Sequence, residues 1–262
     1  MNDLNLLKKA VKEAGDAALR YYKKKEAKVE YKKDESPLTE ADLASNKILC
    51  ENLAGAGYPI LSEENEDDLD RLKIGKVWII DPLDGTMDFV QETGEFSVMA
   101  ALAENGRPAL GAVYLPATGE LYWSEKGKGA FLEIGANQSE KLETTSIDDS
   151  KKARMVVSRN HLKPEDEQIS QKLGINKMKK VGSNGIKIGL IAKGEAELFL
   201  NTGSGMGEWD LCAPEIILEE AGGEVTDKRG RKIQYNKNEP YLKEGIVASN
   251  GRFHESVLRE LE

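Results

Sequence analysis

Cysteine and histidine are nearly absent from this 262-residue chain, which has two of each. Cys50 and Cys212 stand far apart, without a CxxC or Cys/His spacing, so neither a zinc site nor a disulfide framework is indicated, and both read as reduced core residues. His161 and His254 have no partner pattern that marks a nucleophile. Long apolar runs are missing too: stretches such as 96–103 and 186–192 are far too short to span a bilayer. The N-terminus has no apolar h-region and no small-residue cleavage site, and reads as an amphipathic helix of a cytoplasmic protein. Positive charge is in deficit, with 37 Lys and Arg against 46 Asp and Glu and a net charge of −9. No broad cationic surface is left to follow a nucleic-acid backbone. A small phosphorylated ligand is not excluded, because carboxylates that gather divalent cations present a locally positive site. Repeats, low-complexity tracts and heptads are absent as well.

What is present is the balance of a globular chain, 39% hydrophobic and 32% charged, long enough for one large or two modest domains. Leu4, Leu7, Ala10, Val11, Ala14, Ala18 and Leu19 recur at helical spacing and predict a first helix ending in the lysines of 23–25. Residues 28–35 read as a polar strand or mobile stretch. A helix entry follows at 36–42, with Thr39 as N-cap, Asp42 at the third helical position, and an inner face of Leu43, Ile48 and Leu49. Strands are expected at 58–61, 77–80, 96–103, 109–114 and 120–124, with a tight turn and strand near Gly127, Gly129 and Phe131. The acidic residues of 65–70 form an exposed, mobile loop on this reading. The polar passage 135–152 is the best domain boundary, dividing 1–142 from 143–262. Beyond it come a strand at 155–158, a helix at 164–173, a strand at 179–181, a helix at 185–193, a strand at 196–200 and a helix at 211–221. Helices and strands alternate, which predicts a layered α/β architecture.

The chemistry concentrates at Asp81-Pro82-Leu83-Asp84-Gly85-Thr86, directly after the apolar run Val77-Trp78-Ile79-Ile80. Two carboxylates across a proline-stiffened turn can converge on one hard cation, and the Leu83 carbonyl is available as a further oxygen ligand. Gly85 permits the tight turn, and Thr86 can open a helix whose free N–H groups face a phosphate. Taken alone, the hexapeptide is also compatible with an ordinary Asp-rich turn. Two more acidic places strengthen the metal reading. Glu63-Glu64 lies at another strand end, eighteen residues before Asp81, and Asp210 precedes a helix. Each has a plainer alternative, a solvated acidic turn and a simple helix cap.

Together, L-S-E-E (61–64), W-I-I-D-P-L-D-G-T (78–86) and W-D (209–210) followed by E-A-G-G (220–223) resemble the lithium-sensitive, magnesium-dependent phosphatase superfamily that includes inositol monophosphatase. The resemblance spans residues 36 to 235. It implies a two-part α-β-α-β-α sandwich. It also implies two or three Mg2+ ions held by Glu63, Asp81, the Leu83 carbonyl, Asp84 and Asp210, with Glu64 in a lesser role. Asp42 and Thr86 are implied as the pair that orients and deprotonates the attacking water, and lithium sensitivity is implied as well.

Within that superfamily, W-D-L-C-A-P-E (209–215), S-R-N-H (158–161), G-S-N-G-I-K (182–187) and G-E-F-S-V (94–98) resemble the 3′(2′),5′-bisphosphate nucleotidases. That similarity implies substrate contacts from Gly85, Thr86, Ser158, His161, Ser183, Lys187 and Asp210, and hydrolysis of adenosine 3′,5′-bisphosphate or its sulfated precursor. Lys187 could anchor the phosphate that stays on the product, or be a solvated helix lysine; His161 could meet base or sugar, or be an exposed loop residue. Met87 stands where these enzymes often have lysine, and Asn184-Gly185-Ile186 does not repeat their A-G-N. The alternative expectation is an inositol or sugar-phosphate phosphatase. The partner on either reading is a small phosphorylated molecule, and the protein is expected as a monomer or homodimer.

Overall fold

Apolar residues that alternate along a strand face opposite sides of its sheet, and in this molecule both sides are covered. In the computed structural model, residues 2–24, 29–31, 37–135 and 139–261 are described. Lys25, most of the polar stretch 28–35, Ser36, and residues 136–138 of the expected boundary lie outside them. The helices are α1 (Asp3–Lys24), α2 (Glu40–Leu53), α3 (Thr86–Val90), α4 (Pro164–Lys172), α5 (Asn184–Ala192), α6 (Cys212–Glu220) and α7 (His254–Leu261). None of the described helices is long and apolar enough to cross a membrane.

A short antiparallel pair, β1 (Val29–Tyr31) and β2 (Pro37–Thr39), precedes α2. Residues 37–39, expected to enter the helix, are thus a strand, as suits Pro37, which favours extended backbone and cannot donate a hydrogen bond. The helix begins after Thr39. Thr39 caps it as expected: its side chain accepts from the N–H groups of Ala41 and Asp42, while the Asp42 carboxylate reaches back to the Thr39 N–H.

The large sheet runs in sequence order through β3 (Ile60–Ser62), β4 (Lys76–Asp84), β5 (Ser97–Glu104), β6 (Arg107–Leu115), β7 (Glu120–Glu125), β8 (Gly129–Ile134) and β9 (Ser139–Lys141). Only the β3–β4 pairing is parallel. On one face Trp78, Ile80, Val98, Ala100 and Ala112 pack against Leu7, Ala10, Val11 and Ala14 of α1 and Leu49 and Leu53 of α2. On the other, Val77, Ile79, Met99, Ala101 and Val113 meet Ile188 and Ile191 of α5 and Cys212, Ala213 and Ile217 of α6.

The later strands are β10 (Arg154–Ser158), β11 (Lys177–Val181), β12 (Leu198–Asn201), β13 (Met206–Gly207), β14 (Glu224–Thr226), β15 (Tyr241–Leu242) and β16 (Ile246–Ser249). Five of them form a mixed sheet in the order β11-β10-β12-β16-β14, and β13 pairs with β15. Val156, Phe199 and Ala248 join the core shared with α5 and α6. Met155, Val157, Leu198, Leu200 and Val247 pack with Ile169 of α4 and Val257 of α7. The result is the expected five-layer α-β-α-β-α sandwich, with α5 and α6 between the sheets. Cys50 and Cys212 are both free thiols, half-buried and buried.

Candidate metal and phosphate site

In a regular strand, residues three apart face opposite sides, so Asp81 and Asp84 could not share a ligand. The β4–β5 register shifts between these two residues, and the irregularity breaks the alternation. Gly85 follows in the left-handed region at φ 91°, where a Cβ would also lie 2.8 Å from the Glu95 carbonyl oxygen. From the other sheet's side, Asp210 arrives at the turn before α6, held by the Gly207 N–H at 2.6 Å and the Asn184 side chain at 3.1 Å. Carboxylate oxygens of Asp81, Asp84 and Asp210 all lie within 4.8 Å of one another. Of the four acids singled out from sequence, Asp81, Asp84 and Asp210 therefore meet in one group.

Their electrostatics are those of like charges gathered out of water. Asp81 is 1% exposed; burial, then the charges of Glu63, Asp84 and Asp210, push its carboxyl well above the usual range. Asp210 is raised by burial and by Asp84 and Glu63. Asp84 is raised by burial, although Ser183, the Gly185 N–H at 2.9 Å, Ser97 at 3.3 Å and the Lys187 charge oppose the shift. Glu63 stands at the end of β3, its N–H on the Ile80 carbonyl at 3.4 Å, within electrostatic reach of Asp42, Asp81 and Asp210. The Glu64 N–H donates to Ser62 Oγ at 3.2 Å. Like charges gathered in a buried place are unfavourable unless protons or a cation neutralise them. The donors are all hard oxygens, with no nitrogen or sulfur among them, and such a set fits magnesium. This acidic group could hold a metal ion.

Asp42 and Thr86 also come together. Thr86 Oγ1 lies 3.1 Å from Asp42 Oδ1 and 2.9 Å from the Leu83 carbonyl oxygen. Asp42 is 1% exposed, and its other oxygen accepts the Thr39 N–H at 2.8 Å and hydroxyl at 2.5 Å. Burial raises its pKa to about 6, partly offset by the Thr39 hydrogen bonds.

The segments expected to recognise a nucleotide divide. His161 is exposed, and its N–H donates to Ser158 Oγ at 3.0 Å. Ser183 is fully buried; it caps α5 by accepting the Ile186 N–H at 3.2 Å and donates to the Asp84 carboxylate. Lys187 is not a solvated helix lysine. It is 2% exposed, with Nζ 2.9 Å from the Gly182 carbonyl oxygen and 4.8 Å from the centre of the Phe199 ring. Burial lowers its pKa to about 8, against the charges of Asp84, Asp210, Asp88 and Glu95. Its charge partly offsets those of Asp84 and Asp210.

Sequence reading missed the clamp beside these segments. Arg159 Nε meets Asp88 Oδ1 at 2.9 Å and its Nη2 meets Glu95 Oε2 at 2.5 Å. Asn160 reaches Asp88 at 3.0 Å, and Glu95 also takes the Gly182 N–H at 2.9 Å. Gly182 itself lies so close to Asp88 that a Cβ would fall 2.4 Å from the carboxyl group. The signal available was the opposite charge of Asp88 and Glu95 against Arg159, but nothing in sequence distance (71 and 64 residues) pairs them. The expected mobile loop also differs: residues 65–70 are exposed, but Leu69–Lys73 forms a 3-10 helix whose buried Arg71 grips Asp67.

Comparison with known proteins shows the family. The model of the inositol monophosphatase family matches residues 2–262. The 3′(2′),5′-bisphosphate nucleotidase CysQ of Salmonella typhimurium is 34% identical over 237 residues, covering 89% of this chain and 94% of that protein. The crystal structure of CysQ from Bacteroides thetaiotaomicron matches with a TM-score of 0.79 and 30% identity, over 95% of this chain and 97% of that one. Extragenic suppressor protein SuhB from Bartonella henselae matches with a TM-score of 0.83 and 25% identity, over 98% and 97%. The chain is a member of the inositol monophosphatase family.

Proposed function

We propose that this protein is a magnesium-dependent phosphomonoesterase that hydrolyses adenosine 3′,5′-bisphosphate to AMP and inorganic phosphate. The observation that carries the hydrolytic reading is the meeting of Asp81, Asp84 and Asp210 within 4.8 Å. The substrate assignment is supported by relatives named 3′(2′),5′-bisphosphate nucleotidase, 30–34% identical over most of the chain.

In this reading Glu63, Asp81, the Leu83 carbonyl, Asp84 and Asp210 hold two or three Mg2+ ions. Bound there, the ions ease deprotonation of water and neutralise charge on the phosphoryl and leaving oxygens. The protein's own part is positioning and proton movement. Thr86 has one hydroxyl proton and two acceptors, Asp42 and the Leu83 carbonyl. With its proton on Asp42, its lone pairs are turned to the attacking water. That water bonds to phosphorus as the P–O3′ bond breaks; its proton passes through Thr86 to Asp42, and the leaving oxygen takes a proton from solvent. Gly85 and Thr86 offer backbone N–H groups to the phosphate. Ser158 and His161 line the nucleotide, while Ser183 and Lys187 act on it through Asp84.

A phosphate-release panel with magnesium tests this: adenosine 3′,5′-bisphosphate, its sulfated precursor, inositol 1-phosphate and fructose 1,6-bisphosphate. We expect the nucleotide bisphosphate to exceed inositol 1-phosphate in kcat/KM by about tenfold or more, the scale of one additional anchored group. Equal or faster turnover of inositol 1-phosphate would instead make the protein a polyol-phosphate phosphatase.

A further inference from the structure

The segment that carries Glu63 and the turn that carries Asp210 are also joined away from the acids, through a third segment at residues 236–237. There Arg71 is 1% exposed. A buried guanidinium is tolerated only when its donors find partners, and Arg71 divides them between its own segment and the third one. Nε and Nη2 hold the Asp67 carboxylate at 2.6 Å each. Nη1 reaches Asn236 Oδ1 at 2.7 Å, and Nη2 also reaches the Lys237 carbonyl at 2.8 Å.

Asn236 stands at φ 60°, a left-handed conformation that a residue with a side chain keeps when its surroundings impose it. Here they do. Its side-chain amide donates to the carbonyls of Arg71 at 3.3 Å and Ile74 at 3.4 Å. Its N–H and that of Lys237 both enter the Glu208 carboxylate, at 2.7 and 3.1 Å. Glu208 is fully buried, two residues before Asp210, and its carbonyl accepts the N–H of Cys212 at the start of α6. Direct hydrogen bonds thus run from Asp67, four residues past Glu63, through Arg71 and Asn236 to the turn that presents Asp210.

We infer that Arg71 is a positioning residue: acting through Asn236 and Glu208, it sets the placement of Asp210 against the acids of the other segment, and with it the affinity of the site for divalent cations. The inference rests on the reading of Asp81, Asp84 and Asp210 as metal ligands. A purely stabilising role is the competing account, and Arg154 supplies the control. Its guanidinium pairs with fully buried Glu197 and the Gly194 carbonyl, at the far end of β10 from Ser158.

The experiment measures Mg2+ binding by calorimetry and Mn2+ binding by spin resonance for wild type, Arg71→Met, Asn236→Gly and Arg154→Met. Melting of the chelated proteins is followed alongside. Arg71→Met should weaken Mg2+ binding about tenfold or more, the usual effect of losing a partner that orients a ligand. Asn236→Gly tolerates the left-handed backbone and loses only the side-chain bridge; it should weaken binding by about threefold or more, a part of that effect. Arg154→Met should lower the melting temperature and leave Mg2+ affinity within about twofold of wild type, as expected for a site without a shared partner. If Arg71→Met does not fold, Asn236→Gly decides the matter. The inference is overturned if the folded variants bind Mg2+ like wild type, or if Arg154→Met weakens binding as much. Failure of wild type to bind either ion would instead remove the metal-site reading, and this inference with it.

Discussion

Asp81 and Glu197 are buried to the same degree, 1% and 0% exposed, yet their surroundings drive them in opposite directions. Around Glu197, burial raises the pKa, but hydrogen bonds and charge from Arg154 overcome it, and the carboxyl ends below its usual range. It takes the Arg154 N–H at 2.6 Å, the guanidinium, and Thr145 Oγ1 at 3.1 Å. Around Asp81, burial is reinforced by three further carboxylates and opposed chiefly by one backbone N–H, that of Leu83 at 3.0 Å. Burial of charge does not by itself mark a functional site. Charges of one sign gathered where pairing was possible do, because folding alone gains nothing from the arrangement.

The sharpest break of this comparison is Asp81→Asn. We expect phosphate release to fall about 10³-fold, the scale of losing metal-borne charge stabilisation. The chelated variant should melt no lower than wild type, since a repulsive group has gone. Steady-state rates with magnesium and calorimetry without it check both halves; full activity would remove Asp81 from the site. Glu197→Gln should do the reverse. Breaking its pair leaves Arg154 without its carboxylate, but that side chain is 39% exposed and solvent screens it, so urea unfolding should show a loss of about 1 kcal/mol, while kcat of the folded enzyme stays within about twofold, as for distant independent sites.

His254 extends the contrast to a group kept neutral. Its Nε2 lies 2.8 Å from Thr226 Oγ1 and its Nδ1 2.9 Å from Ser249 Oγ. The Thr226 hydroxyl donates to the Asp227 carbonyl, so it accepts from Nε2–H, and Nδ1 is the acceptor. Burial, then the charge of Lys232, lowers the pKa to about 4. The unfolded chain therefore takes up the proton first. Stability from this residue is present above pH 6.5 and lost as pH falls toward 4, by about 2 kcal/mol between pH 7 and pH 5. Urea unfolding at the two pH values, compared with His254→Asn, isolates the slope; an unchanged slope in the variant would assign the acid sensitivity elsewhere.

How much of this was legible follows the range of the interactions. The cap at Thr39 with Asp42 is a three-residue signal, and it formed as read. The buried strand ahead of Asp81 was plain from Val77–Ile80, since an apolar run that short must be covered on both faces. Lys187 was open between two readings in sequence, a phosphate anchor or a solvated lysine; its burial beneath Gly182 and against Phe199 rules out the second. Arg71 drew no attention in an acidic loop, because its partners Asn236 and Lys237 come 165 and 166 residues later. Ser183 was expected to face the substrate, and its hydroxyl instead turns inward to Asp84.

The sequence by itself determined most of the local elements and their layered α/β alternation, and it singled out the acidic residues. These follow from periodicity, capping and the chemistry of side chains close together in the chain; the count of five layers came from the family resemblance. Only the tertiary structure decided that Asp210 meets Asp81 and Asp84, that the charge of a buried Lys187 partly offsets theirs, and that Arg71 and Arg159 join distant segments. The reason is physical: a hydrogen bond or an ion pair acts over a few ångströms of space, and the packing of two sheets around α5 and α6 sets those distances.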